Sequence, residues 1–375
     1  MSARASKFLN DRAIKVASMR IGHVAPLVYP VPPKAYGGTE RVVADLARAQ
    51  FDLGHEVWVF GSSDSSLDGV EMVGEYPSLE QWRSEKGDVP PGLLAELEAA
   101  QLSALLKHGS GCDVLHLHGT AHASGAAASL GIPVFRTIHW RADELDHRVH
   151  FDLFPQERVI AISERQACDI PANVLAGVVH HGIPLDRYRA GNGSGRYLAF
   201  LGRMTDQKRP DRAIALGAAC DLPVKLAGPV DPGNPDYFEN NVAPLLSESV
   251  HHLGSVTDQD KQTFLGDAAA LVFPIDWPEP FGLVMIEAMA CGTPVIAWRN
   301  GSVAEVVDDG VTGAIVENLR EAIQRLPEVL KLDRGQVRAR FEERFGADRM
   351  AAQVTRLYET GYRSSSESTA SSPLP

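Results

Sequence analysis

Residues 271–297 read LVFPIDWPEPFGLVMIEAMACGTPVIA. Leu271–Phe273 is a short apolar run suited to a buried strand, Leu283–Cys291 carries helix formers, and Val295–Ala297 is a second strand-like run. Strand, helix and strand in this order make a βαβ unit, which predicts a parallel sheet covered on both faces. Pro280, Phe281 and Gly282 form the turn into the helix. The first backbone N–H groups of a helix have no partner within it, so the helix opening at Gly282 is a ready site for an anion such as a diphosphate. Two carboxylates, with seven residues between them, frame this opening. Glu279 precedes the turn and can accept hydrogen bonds from hydroxyl groups. Glu287 follows about one turn into the helix, where a carboxylate can take both hydroxyls of a ribose. It sits among Ile286, Ala288 and Met289, so burial obliges it to find partners.

The same alternation extends in both directions. Tyr197–Leu201 reads as a strand, Pro210–Ala219 as a helix and Val224–Ala227 as a strand. Arg203 and Lys208 fall in the loop after the first of these, and a forked guanidinium with an ammonium suits a pyrophosphate. A first series precedes it: strands at Arg20–Ala25, Val57–Phe60, Asp113–His118, Pro133–Ile138 and Val159–Ile162, and helices at Thr39–Leu53 and Leu93–Leu106. Ala190–Gly195 (AGNGSG) reads as a flexible linker. The spacing therefore predicts two doubly wound α/β domains, 19–190 and 191–345, facing across a cleft. A helix over 346–363 follows, with a flexible leader over 1–18 and a Ser- and Pro-rich disordered tail over 364–375. Met19 directly precedes the first strand and is an alternative start to Met1. In doubly wound sheets ligands bind beyond the carboxyl ends of the strands, and the motifs fall there. Gly37 and Gly38 would let a backbone approach a ligand at a helix start, although Gly-Gly is equally a plain turn signal. His139 ends a strand at the mouth of the first domain and can hydrogen-bond a substrate.

The 375 residues predict two or three domains, and 44% hydrophobic with 22% charged residues is an ordinary globular composition. A net charge of -12, acidic in both halves, disfavours a nucleic-acid partner and a polybasic membrane-docking face. Peripheral membrane contact through a local patch stays open, and the oligomeric state is not readable. No apolar run reaches the roughly 18 residues of a membrane span, and the N-terminus has no secretory h-region. Cys112, Cys168, Cys220 and Cys291 form no C-x-x-C pair and read as buried thiols of a reducing compartment, the cytoplasm. His116 and His118 share a strand face with His122 nearby, but no carboxylate or cysteine spacing completes a metal site.

Taken together, the segments around Glu279 and Glu287, Arg203 and Lys208, and Gly37-Gly38-Thr-Glu resemble the retaining nucleotide-sugar glycosyltransferases of family 4, over about residues 19–362. The resemblance implies a GT-B fold of two Rossmann-like domains with the last helix crossing back onto the first. Arg203 and Lys208 match the groups that hold the donor diphosphate. Backbone amides around Phe281, Gly282, Leu283 and Val284 match its cradle, Glu287 the ribose ligand and Glu279 the carboxylate at the donor sugar. His139 matches the histidine near the transferred sugar, and Gly37 and Gly38 the loop that closes on the phosphates. The implied reaction moves a sugar, from a UDP-sugar first and a GDP-sugar next, to a soluble or glycan acceptor. It proceeds on one face, with retention and without metal or other cofactor. Three positions depart from the pattern: Trp140 and Arg141 follow His139, Arg209 stands where glycine is frequent, and Gly301–Glu305 reads GSVAE rather than GGxPE. A nucleotide-sugar epimerase, a phosphorylase on the same fold or a non-catalytic nucleotide-sugar sensor are the alternatives.

Overall fold

The computed structural model describes residues 18–34, 37–119 and 121–369, with side chains through 360. The first domain holds seven strands: β1 (Arg20–Val24), β2 (Glu56–Phe60), β3 (Glu71–Val73), β4 (Val114–Leu117), β5 (Val134–Thr137), β6 (Arg158–Ala161) and β7 (Leu175–Val178). They lie in the order β3-β2-β1-β4-β5-β6-β7, all parallel. The second domain holds β8 (Leu198–Leu201), β9 (Val224–Ala227), β10 (Val250–His252), β11 (Ala270–Phe273), β12 (Val295–Trp298) and β13 (Gly313–Val316). Their order is β10-β9-β8-β11-β12-β13, again all parallel. Both sheets thus repeat the doubly wound 3-2-1-4-5-6 order. In each, the strand order reverses beside the first strand, and a crevice opens there at the carboxyl ends.

Burial on both faces follows from the two-residue period of a strand. In the second sheet Leu198, Phe200, Ala270, Val272, Ile296 and Trp298 pack to one side. The alternate residues Ala199, Leu201, Leu271, Phe273, Val295 and Ala297 pack to the other, with Met285, Ile286, Ala288 and Met289 of the helix Leu283–Ala290.

The last helix, Ala347–Thr369, leaves the second domain and lies on the helix Gly38–Asp52 of the first. Met350, Ala351, Val354 and Tyr358 join Ile21, Val42, Leu46 and Phe135 in one core. Where the chain crosses out and back, its two strands hold each other. Ile183 N–H donates to Phe345 O (2.9 Å) and Ala347 N–H to Ile183 O (3.1 Å).

Several expectations change here. The AGNGSG segment is not a flexible linker. Gly191, Gly193 and Gly195 N–H groups donate to the carbonyls of Cys291, Gly266 and Asp267 at 2.9–3.0 Å. Arg334 also donates to the Gly191, Ala268 and Gly266 carbonyls. A Cβ at Gly191 would stand 2.2 Å from Gly266 O, so glycine serves close backbone contact and not mobility. The last helix runs through Thr369, six residues into the segment read as a tail; 370–375 and 1–17 lie outside the described residues. Of the cysteines, all unpaired, Cys112 and Cys291 are buried, Cys220 is half-buried and Cys168 is exposed, because it follows a short surface helix.

Candidate active site

One cavity of about 480 Å³ lies between the domains, lined by residues that follow β1, β5, β8 and β11. Gly37, Gly38, His139, Arg203, Lys208, Glu279, Phe281, Gly282, Leu283, Val284 and Glu287 all line it. Thus every candidate residue taken from the sequence faces the same space. Two helix N-termini meet there from opposite domains. Gly37 (φ 144°) precedes Gly38–Asp52 and Gly282 (φ 84°) precedes Leu283–Ala290, so neither N-cap residue has a side chain to cap its helix. Of the N–H groups in the first turn of Gly38–Asp52, the Glu40 carboxylate accepts only from its own. The positive φ at both positions favours glycine. A Cβ on Gly38 would lie 3.8 Å from Leu283 Cδ1, so the two openings nearly touch across the cleft. Uncapped N–H groups and aligned helix dipoles favour an anion between them.

Each cation at the cavity is paired. Lys208 bonds Glu279 and lies 4.9 Å from the centre of the Trp277 ring, whose Nε1–H donates to Glu279 (2.6 Å). Arg203 donates to Asp231 (2.9 Å), and Lys261 to Glu287 (2.8 Å). Arg41 of the first domain bonds Asp258 of the second. The basic patch read from Arg203 and Lys208 is therefore a lattice of matched charges, in which a phosphate competes with carboxylates for the same donors. Glu287 is buried and also receives the Tyr188 hydroxyl (3.3 Å). Burial alone would raise its pKa, but Lys261, then Arg41 and Arg187, hold it below the ordinary value.

The loop departures have local explanations. Arg209 takes a left-handed backbone (φ 54°), the reason glycine suits that position. It is held by both Asp211 oxygens (2.9 and 2.7 Å) and by Asp276 (3.0 Å). In GSVAE, Ser302 N–H donates to Glu279 O (3.0 Å) and its hydroxyl to Phe281 O (2.7 Å), fixing the backbone that carries Glu279. Glu305 crosses to the first domain, accepting from the Glu164 and Arg165 N–H groups (2.7 and 2.8 Å) and from His180 (3.1 Å). Trp140 and Trp277 meet across the cleft with ring centres 4.8 Å apart.

The histidines regroup. His122 pairs with Gln101 (2.9 Å) and Glu98 and does not join His116 and His118. His23 does: the ligand nitrogens of His23, His116 and His118 lie within 4.8 Å of one another. All three already hydrogen-bond neighbouring side chains. His139 is partly buried, and burial lowers its pKa to about 3. It therefore offers a neutral imidazole at the cavity, not a general acid.

Sequence reading left Glu40, Arg41 and Lys261 unassigned, although all line the cavity. Glu40 and Arg41 stood inside the glycine-rich segment; Lys261 lies in a polar helix, Asp258–Gly266, with no motif around it. Burial pushes Glu40 up to about 7 from 4.5, against hydrogen bonds from its own N–H and that of Tyr29. The folded chain then binds a proton between pH 4.5 and 7 that the unfolded chain has lost. Ionised Glu40 accordingly costs about 3 kcal/mol above pH 7 and nothing below pH 4.5. Glu40→Gln is expected to flatten this loss: relative to the variant, wild-type stability in urea falls as pH rises from 5 to 8. A difference between the two proteins that does not change with pH contradicts the raised pKa.

Residues 187–345 match the family model described as Glycosyl transferases group 1, and residues 36–187 match Glycosyltransferase Family 4. The D-inositol 3-phosphate glycosyltransferase of Mycolicibacterium smegmatis is 28% identical, covering 89% of this chain and 89% of its own. That of Mycobacterium tuberculosis is also 28% identical, covering 90% of this chain and 80% of its own. Among solved structures, sucrose-phosphate synthase from Thermosynechococcus elongatus superposes with a TM-score of 0.73 at 20% identity, covering 92% of this chain and 100% of its own. Anabaena HepE with UDP and glucose gives 0.69 at 18% identity, covering 91% and 100%. No helix among the described residues is long and apolar enough to cross a membrane. Two parallel sheets of one strand order, a site between them and family matches that adjoin at residue 187 lead to one conclusion: the chain belongs to the family 4 glycosyltransferases and has the GT-B fold.

Proposed function

We propose that the protein transfers a sugar from a nucleotide-diphosphate sugar, UDP-linked first and GDP-linked next, to a soluble or glycan acceptor with retention at the anomeric carbon. The observation that carries this is the pair of uncapped helix N-termini meeting beside Arg203 and Lys208. These fixed donors stabilise the diphosphate as it takes up charge on leaving, a task that a metal performs elsewhere, so no metal is required. Glu287 holds the ribose hydroxyls. Glu279, oriented by Lys208 and Trp277, positions the donor sugar and is not a covalent nucleophile. The departing phosphate takes the acceptor proton on the same face. His139, neutral, hydrogen-bonds the transferred sugar.

A thermal-shift screen against UDP-, GDP-, ADP- and dTDP-sugars tests the donor. A donor that binds only the folded protein adds about 2.7 kcal/mol of stability at a hundredfold excess over Kd and so raises the midpoint. Transfer is then assayed in EDTA with a panel of sugars and polyol phosphates, inositol 3-phosphate first because the relatives' name specifies it. Retained anomeric configuration by proton NMR and undiminished rate in EDTA are expected. An inverted product or loss of rate in EDTA overturns the corresponding part.

A further inference from the structure

A row of buried polar side chains runs from the helix Gly38–Asp52 through the first sheet to the cavity. Gln50 Oε1 lies 2.7 Å from His23 Nε2, His23 Nδ1 lies 2.9 Å from His118 Nε2, and His118 Nδ1 lies 3.1 Å from His139 Nε2. Gln50 and His23 are fully buried, and His118 is 4% exposed. His116 stands beside this row with both nitrogens engaged, by the Tyr358 hydroxyl (2.6 Å) and Thr137 Oγ1 (2.7 Å). His181 stacks on His139, ring centres 5.2 Å apart and 15° between planes.

We infer that Gln50, His23 and His118 are positioning residues that lock His139 in its Nε2–H tautomer, so that Nδ1 accepts a hydrogen bond from a hydroxyl of the bound sugar. A neutral imidazole has one donor nitrogen and one acceptor. Along the row each hydrogen bond needs one of each, so the end of the Gln50 amide that faces His23 decides every ring, and here that end is Oε1 while Nε2 is buried. The Gln50 carbonyl oxygen can only accept. His23 must then donate through Nε2 and accept at Nδ1, His118 must do the same, and His139 follows. Burial keeps the row neutral: it lowers His23 to about 4 and His139 to about 3, and holds His118, His116 and His181 well below the usual histidine range. A single protonated ring would supply two donors and break the direction of the row. The inference about the sugar rests on the transfer reaction proposed above; the tautomer itself does not.

The two are separated by reading the tautomer directly. In protein labelled with ¹⁵N-histidine, long-range ¹H–¹⁵N correlation at pH 7 is expected to show His23, His118 and His139 each protonated at Nε2. Nδ1–H on His139 in the wild type overturns the inference, with or without any enzymatic activity. Gln50→Leu removes the terminal acceptor. It is expected to give mixed tautomers at His139 and a fall of about tenfold in kcat with little change in donor KM. An unaltered His139 tautomer in Gln50→Leu overturns the relay. An altered tautomer with unaltered kcat overturns its link to the sugar. Should Gln50→Leu not fold, His118→Phe interrupts the row at its middle and is read in the same way.

Discussion

Lys208→Ala is expected to lower kcat for sugar transfer by about 10²–10³-fold, the loss seen when one preorganised group facing developing charge is removed. The ammonium is poised by three neighbours: it bonds Glu279, lies 4.9 Å from the centre of the Trp277 ring and 6.0 Å from that of Phe273. It is 17% exposed, so its field is less screened than that of a surface lysine. Alanine removes the charge and also strands Glu279, whose carboxylate then repels the incoming diphosphate. Donor affinity should therefore fall as well, and Glu279→Gln in the Lys208→Ala background should recover part of the affinity while leaving kcat low. Steady-state kinetics on the two single variants and the double variant check this. A wild-type kcat in Lys208→Ala removes the lysine from leaving-group stabilisation.

The second large effect is on stability as well as binding. Glu287→Ala takes from Lys261, 15% exposed, its closer carboxylate and leaves Asp258 at 3.6 Å as the other, and losing this charged hydrogen bond costs about 1.5–3 kcal/mol. The lowered pKa of Glu287 means that its contribution is present above the unfolded value of 4.5 and is lost as pH falls through the folded value. Replacing both members by apolar groups of similar volume, Glu287→Leu with Lys261→Met, removes the lysine charge that has lost its closer partner. This double variant should regain most of the lost stability, read by urea unfolding, yet remain unable to bind donor, read by the thermal shift. Donor binding retained in the double variant would detach Glu287 from the ribose.

The sequence carried the central strands of both sheets and the cavity residues of the turn-to-helix motifs apart from Glu40 and Arg41. It missed β3, β7, β10 and β13, which are the four sheet edges. EMV at Glu71–Val73 and VHH at Val250–His252 are three residues long and carry polar residues in place of an apolar run, while LAGV at Leu175–Val178 and GAIV at Gly313–Val316 each carry a glycine, which weakens the strand signal. The site was legible where chemistry follows a strand directly, as at Arg203, His139 and Glu279. It was not legible where function depends on who pairs with whom. Lys261 meets Glu287, Arg41 meets Asp258, and His23 meets His118 only through the fold, with partners far apart along the chain. The linker reading failed for the opposite reason: glycine-rich composition has one signature for mobility and for tight backbone contact, and the contact partners decide which applies.

The clasp between Ile183 and residues 345–347 also bears on how the molecule is made. The chain leaves the first domain and re-enters it at one place, so the second domain is in effect an insertion into the first. During synthesis Ile21, Val42 and Leu46 emerge before the second domain, but they must wait for Met350, Ala351 and Val354, which follow the whole of it. Contacts so distant in sequence form slowly. The nascent first domain therefore carries an uncovered apolar face for as long as the second domain is being made, and the last helix is the element whose arrival ends that exposure.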